Sequence, residues 1–159
     1  MANTQCTTSK CQFIWLLILR VAIGWHFLYE GVSKLLNPNW SSIGYLLDSK
    51  GFLSSFYHTL AANPKLLEIS NFMNEWGLTL IGLGLILGAF TRVATYAGMV
   101  LLAFYYFSHP PFIGLNYAMP TEGSYLFIDK VFIEFCALGV LALFPTGRYI
   151  GLDRFFYKK

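Results

Sequence analysis

Four apolar runs of helix length leave this chain few ways to fold. The first is FIWLLILRVAIGWHFLYEGVSKLL, over 13–36. The second covers 72–90, its most apolar part being WGLTLIGLGLILGAF, and the third is VATYAGMVLLAFYYF with Ser108, over 93–108. The fourth is YLFIDKVFIEFCALGVLALF, over 125–144. None alternates polar and apolar residues with the period of two that a barrel strand requires, so all four read as helices. Crossing the hydrocarbon takes about 20 apolar residues. The third run is short for this, so Arg92 and His109 at its ends fall near the headgroups, where arginine snorkels. Composition agrees: 56% of residues are hydrophobic and 12% charged, about half the usual charged share. Those proportions exclude a water-soluble globule and a disordered chain. The 159 residues amount to one domain. The expected fold is therefore an all-α integral membrane four-helix bundle occupying 1–159 as a single domain.

Loop charges orient it. With the N-terminus in the cytoplasm, Lys10, Arg92, Arg148, Arg154, Lys158 and Lys159 lie inside, against Lys34, Lys50 and Lys65 outside. The positive-inside rule then places both termini in the cytoplasm. Thr91-Arg92 reads as a tight turn joining the second and third spans. The long outer segment from Asn37 to Asn71 mixes aromatic and polar residues, which predicts short interfacial helices, with Asn63-Pro64 a helix start. The second outer loop, SHPPFIGLNYAMPTEGS, reads as irregular chain over the outer mouth.

Ionisable residues inside spans are costly and therefore informative. Arg20, His26, Glu30 and Lys34 fall within an arc of roughly 120° on one helix face. Glu30 precedes Lys34 in the favourable order for an ion pair. The fourth span carries Asp129, Lys130 and Glu134, and Arg20 is a natural partner for Glu134. At the outer mouth, Tyr105, Tyr106 and His109 stand beside Pro110-Pro111. A quinone site needs aromatic walls, hydrogen-bond donors and a proton-exchanging group. On this reading His26, Glu30 and Glu134 are the candidate catalytic, proton-exchanging residues. Arg20, Lys34, Tyr105, His109 and Lys130 are candidates for holding quinone or an anionic substrate. Gly84 and Gly88 form a GxxxG, a packing motif that also serves homo-oligomers.

Other chemistries find no footing. The scattered basic residues of a net +3 chain make no nucleic-acid patch. Cys6, Cys11 and Cys136 form no CxxC for a thiol relay or zinc. His26 is the sole histidine placed deep in a span, which argues against haem. No phosphate loop or hydrolase motif occurs, and neither flavin nor metal is expected.

The stretches LRVAIGWHFLYEGVSKL, WGLTLIGLGLILGAFTRVATYAGMVLLAFYYFSHPP and EGSYLFIDKVFIEFCALGVLALFPTGRYIGLD, in that order and spacing, resemble the DoxX/DoxD family. The nearest likeness is to the DoxD subunit of thiosulfate:quinone oxidoreductase. One departure is Asp129, where the family's usual pair in the fourth span has asparagine followed by lysine. The resemblance implies four transmembrane helices in a bacterial or archaeal cytoplasmic membrane. It also implies electron transfer from thiosulfate or a related sulfur compound to quinone, beside a DoxA-like or other redox subunit. The alternative is a non-enzymatic membrane scaffold that docks a redox or secretion component.

Overall fold

The structure is a computed structural model that describes residues 10–119 and 126–156. Cys6, Tyr125, Lys158 and Lys159 lie outside the described residues. Regular structure among the described residues is helical throughout: α1 (Lys10–Leu35), α2 (Ile43–Leu47), α3 (Ser54–Ala62), α4 (Pro64–Leu87), α5 (Thr91–Ser108), α6 (Lys130–Leu143), a 3₁₀ turn (Thr146–Arg148) and α7 (Asp153–Phe156). Among the described residues α1 alone has both the length and the hydropathy to cross a membrane. Its outward side chains are large and apolar, with Trp15, Trp25 and Tyr29 each more than 60% exposed. An apolar exterior of this extent suits lipid rather than water.

Two boundaries differ from the sequence expectation. The second run was expected over 72–90, but α4 begins at Pro64. The Asn63 side chain accepts hydrogen bonds from the amides of Lys65 and Leu66, and proline fits the first helical position. The helix started by Asn63-Pro64 is thus the second long helix itself. It ends at Gly88, whose φ of +66° is the left-handed conformation that glycine adopts without strain. The fourth run was expected from residue 125, but α6 begins at Lys130. Asp129 is its N-cap, accepting from the amide of Phe132, and so stands outside the helix. Expectation and structure agree closely for α1 and α5, and α2 and α3 occupy the segment where short helices were expected.

Missing side chains set the closest helix packing. Gly24 faces Leu85 and Ile86, Gly31 faces Thr79, and Gly82 faces Leu28 and the carbonyl of Gly24. Rising numbers on α1 meet falling numbers on α4, so the two are antiparallel and their backbones nearly touch. A Cβ on Gly82 would stand 2.7 Å from the Gly24 carbonyl oxygen, closer than packing allows. Gly98 similarly admits Leu138, bringing α5 against α6. With α4 against α5 and α1 against α6, the contacts close a circuit. Its core is Ile23, Phe27, Leu78, Ile81, Leu85, Ala94, Leu102, Leu138 and Leu141. Gly84 and Gly88 are taken up within the chain. Gly84 packs on Ala94 and the Ala89 carbonyl, and Gly88 abuts Gly151. Both glycines thus make contacts within the chain.

A smaller cluster of Leu46, Tyr57 and Ala61 joins α2 to α3. It is tied to the end of α5, where Tyr57 donates to the Phe104 carbonyl (2.7 Å) and Tyr45 to the Tyr105 carbonyl (3.2 Å). The Tyr105 carbonyl also accepts from the amide of His109, the cap of α5 (3.0 Å), so Tyr45 adds a second donor there.

Candidate functional site

The structure sorts the candidate residues into three places. The first is a seam between α1 and α6. His26 Nδ1 and Glu134 Oε1 lie 2.9 Å apart, an imidazole–carboxylate hydrogen bond across 108 residues of sequence. The His26 side chain is 54% exposed and that of Glu134 is 14% exposed, so one member of the pair is reachable from outside. One turn further along α1, Lys34 donates to Glu30 (2.7 Å), and its ammonium also stands 5.6 Å from the Trp40 ring. Lys130 and Glu30 are both within electrostatic reach of His26. Five of the eight candidates, His26, Glu30, Lys34, Lys130 and Glu134, therefore share one polar seam.

The second place is the mouth, where α5 ends. The His109 ring stacks on Tyr45 (centroids 4.0 Å) and tilts against Tyr117 (4.7 Å). Its Nδ1 shares a 3.0 Å hydrogen bond with Ser108 Oγ. Its buried Nε2 has no hydrogen-bond partner, and Asp48 Oδ2 stands 3.8 Å away. Burial between the two rings lowers the His109 pKa, although the charge of Asp48 opposes that shift. Burial would raise the Asp48 carboxyl, but backbone amides of Ala118 and Met119, helped by His109 and Lys50, hold it below its ordinary range. Asp48 thus pins the loop after α5 to α2, and Lys50 adds a bond to the Asn116 carbonyl.

Arg20 belongs to a third place, at the opposite end of the molecule. The expected Arg20–Glu134 pair is absent. The guanidinium instead donates to Thr146 Oγ1 (3.0 Å) and to the Ile150 carbonyl (2.8 Å). Arg20 and Asp153 are each only 2% exposed. Asp153 accepts from the amides of Phe90 (2.6 Å) and Thr91 (3.0 Å) and from the Thr91 hydroxyl. The segment after α6 thereby latches α1 to the α4–α5 turn. Arg20 is spoken for there and is not available to a substrate near His26.

Beside the mouth, α4 and α5 diverge from their turn and leave a groove of about 1170 Å³. Tyr45, Tyr57 and Tyr105 stand at its outer end, and Phe90 at the turn. Tyr105 donates to Asn74 Oδ1 (2.9 Å), while the Asn74 amide nitrogen has no partner among the described residues. The sequence reading singled out Tyr105 but missed Asn74 and Asp48. The available signals were a lone amide within FMNEWG and an acid facing an irregular loop.

The family model described as DoxX matches residues 15–110, which takes in α1 through α5 and so His26, Glu30, Lys34, Tyr105 and His109. No curated protein matches the chain, and no solved structure does.

Proposed function

Because the chain belongs to the DoxX family of membrane proteins, we propose that it is a membrane subunit of a quinone-linked oxidoreductase, passing electrons from thiosulfate or a related sulfur compound to quinone. In this reading α1, α4, α5 and α6 cross a bacterial or archaeal cytoplasmic membrane as a four-helix bundle. Both termini lie in the cytoplasm, and a DoxA-like or other redox subunit supplies the electrons.

The single observation that carries the reading is the hydrogen-bonded His26–Glu134 pair in the polar seam between α1 and α6. Ionisable groups in a membrane segment are expensive and are retained where protons or charges must be handled. A bound quinone supplies two-electron, two-proton chemistry. The chain's own residues exchange the protons. Glu134 holds one against His26 Nδ1, and the half-exposed imidazole moves it to or from the lipid-facing side. Glu30, one turn away, is the second carboxylate, with its charge balanced by Lys34. Lys130 adds positive charge to the same seam. The groove fits a long apolar molecule, and the unpaired Asn74 amide at its end fits a carbonyl acceptor.

The test is thiosulfate-dependent reduction of decylubiquinone by the purified protein in nanodiscs, with and without any co-purifying subunit. Turnover in either arm is the expected result. Absence of both turnover and quinone binding overturns the proposal, and a stoichiometric partner in that case favours the scaffold alternative.

A further inference from the structure

We infer that the groove between α4 and α5 holds a long-chain quinone, its tail along the helices and a ring carbonyl on the Asn74 amide. This inference rests on the quinone-linked reading and places its substrate on particular residues.

The groove lies between α4 and α5, which pack near their turn, where Gly84 meets Ala94, and are joined again at the other end by the Tyr105–Asn74 hydrogen bond. Further along, Met73, Gly77 and Leu80 of α4 face Ala97, Val100 and Phe104 of α5 across it. The stretch of α5 from Val93 to Tyr105 runs about 18 Å, long enough for an extended hydrocarbon tail. Its walls are apolar and its outer end is aromatic. Tyr45, Tyr57 and Tyr105 gather there with α2 and α3 forming a roof.

Charge decides which lipid fits. No Asp, Glu, Lys or Arg is among the described lining residues, so nothing meets a phosphate or a choline. A head that is neutral, planar and rich in carbonyls matches an aromatic box with a spare amide donor. The hydroxyls of Tyr45 and Tyr57 are spent on the carbonyls of Tyr105 and Phe104, and that of Tyr105 on Asn74 Oδ1. Ser42 and Ser70 also line this end, but Ser42 donates to Asn71 Oδ1 (2.7 Å) and the Ser70 hydroxyl meets that of Ser42. The amide donor left facing the groove is that of Asn74, and Tyr105 fixes which way it presents.

Gly77 provides a clean way to test the site. A Cβ there meets nothing within 4 Å, so Gly77→Leu should fold normally while filling the groove. Gly44, on α2 and outside the groove, is equally open, and Gly44→Leu is the control. The probe is an azidoquinone with a ten-carbon tail, cross-linked to the full chain in phosphatidylcholine nanodiscs and mapped by peptide mass. Expected is saturable labelling of α4 and α5 around Asn74 and Phe104, competed by unlabelled decylubiquinone. Gly77→Leu and Asn74→Leu should each weaken it about tenfold or more, a loss on the scale of one buried hydrogen bond for Asn74, with Gly44→Leu unchanged. Saturable labelling around His26 and Glu134 instead overturns this placement and leaves the quinone-linked reading standing. No saturable labelling anywhere overturns both. Labelling of the groove that added phosphatidylcholine displaces, but decylubiquinone does not, assigns it to bulk lipid and also overturns the inference.

Discussion

The latch around Arg20 and the seam around His26 are built from the same kinds of residue and do opposite things. In the latch, Arg20 and Asp153 are buried and hold their partners with several hydrogen bonds across three parts of the chain. In the seam, His26 and Glu134 share one bond, and the imidazole is more than half exposed. A charge that is enclosed and multiply bonded holds elements together and cannot change its proton cheaply. A charge with one partner and an open side contributes little to stability and is free to exchange. The comparison separates architecture from chemistry among residues that look equivalent on the first helix.

Substitutions sharpen the contrast. The largest expected effect is Asp153→Ala, which strips the shared acceptor from the amides of Phe90 and Thr91 and from the Thr91 hydroxyl and removes the buried carboxylate from the latch that also holds the Arg20 cation. A loss of about 3–5 kcal/mol is expected, read by denaturant unfolding in detergent. Next is Gly82→Leu, whose side chain must displace the α1 backbone at Gly24 and Leu28. About 1–3 kcal/mol of destabilisation is expected from overpacking, together with looser contact between α1 and α4 in cysteine cross-linking.

The smallest effect concerns the mouth. The His109 pKa in the fold lies below the ordinary value of 6.5, so the unfolded chain takes up its proton first as pH falls. The contribution of His109 is thus fully present above that value and fades below it, toward the folded pKa. The melting temperature should fall between pH 7.5 and 5.5. In His109→Phe, which keeps a ring between Tyr45 and Tyr117, the fall should be smaller. Identical slopes would remove His109 from the account of the mouth.

Much of this was legible from residues alone, because apolar runs and Glu30–Lys34 are local signals. An i,i+4 pair lies on one helix face whatever the rest of the chain does. The α6 start was misplaced because Tyr125 to Ile128 are as apolar as the helix they precede, and hydropathy carries no information about where a cap forms. The partner of Arg20 was misjudged for a different reason. Its bonds go to a hydroxyl and a carbonyl after α6, and backbone acceptors leave no trace in residue identity. The His26–Glu134 bond depends on helix rotation across 108 residues, which periodicity on one helix does not fix. Asn74 and Asp48 acquire meaning only when a groove and a loop are laid against them.

Glu134→Gln tests the central distinction most directly, because it keeps the shape and removes the exchangeable proton from the carboxylate. Quinone reduction and unfolding should be measured on the same preparation. Expected is a fall in turnover of about 10²-fold or more, with stability changed by less than about 1 kcal/mol. Turnover within twofold of the unsubstituted protein, or a stability loss as large as that at Asp153, would contradict the assignment of this seam to chemistry.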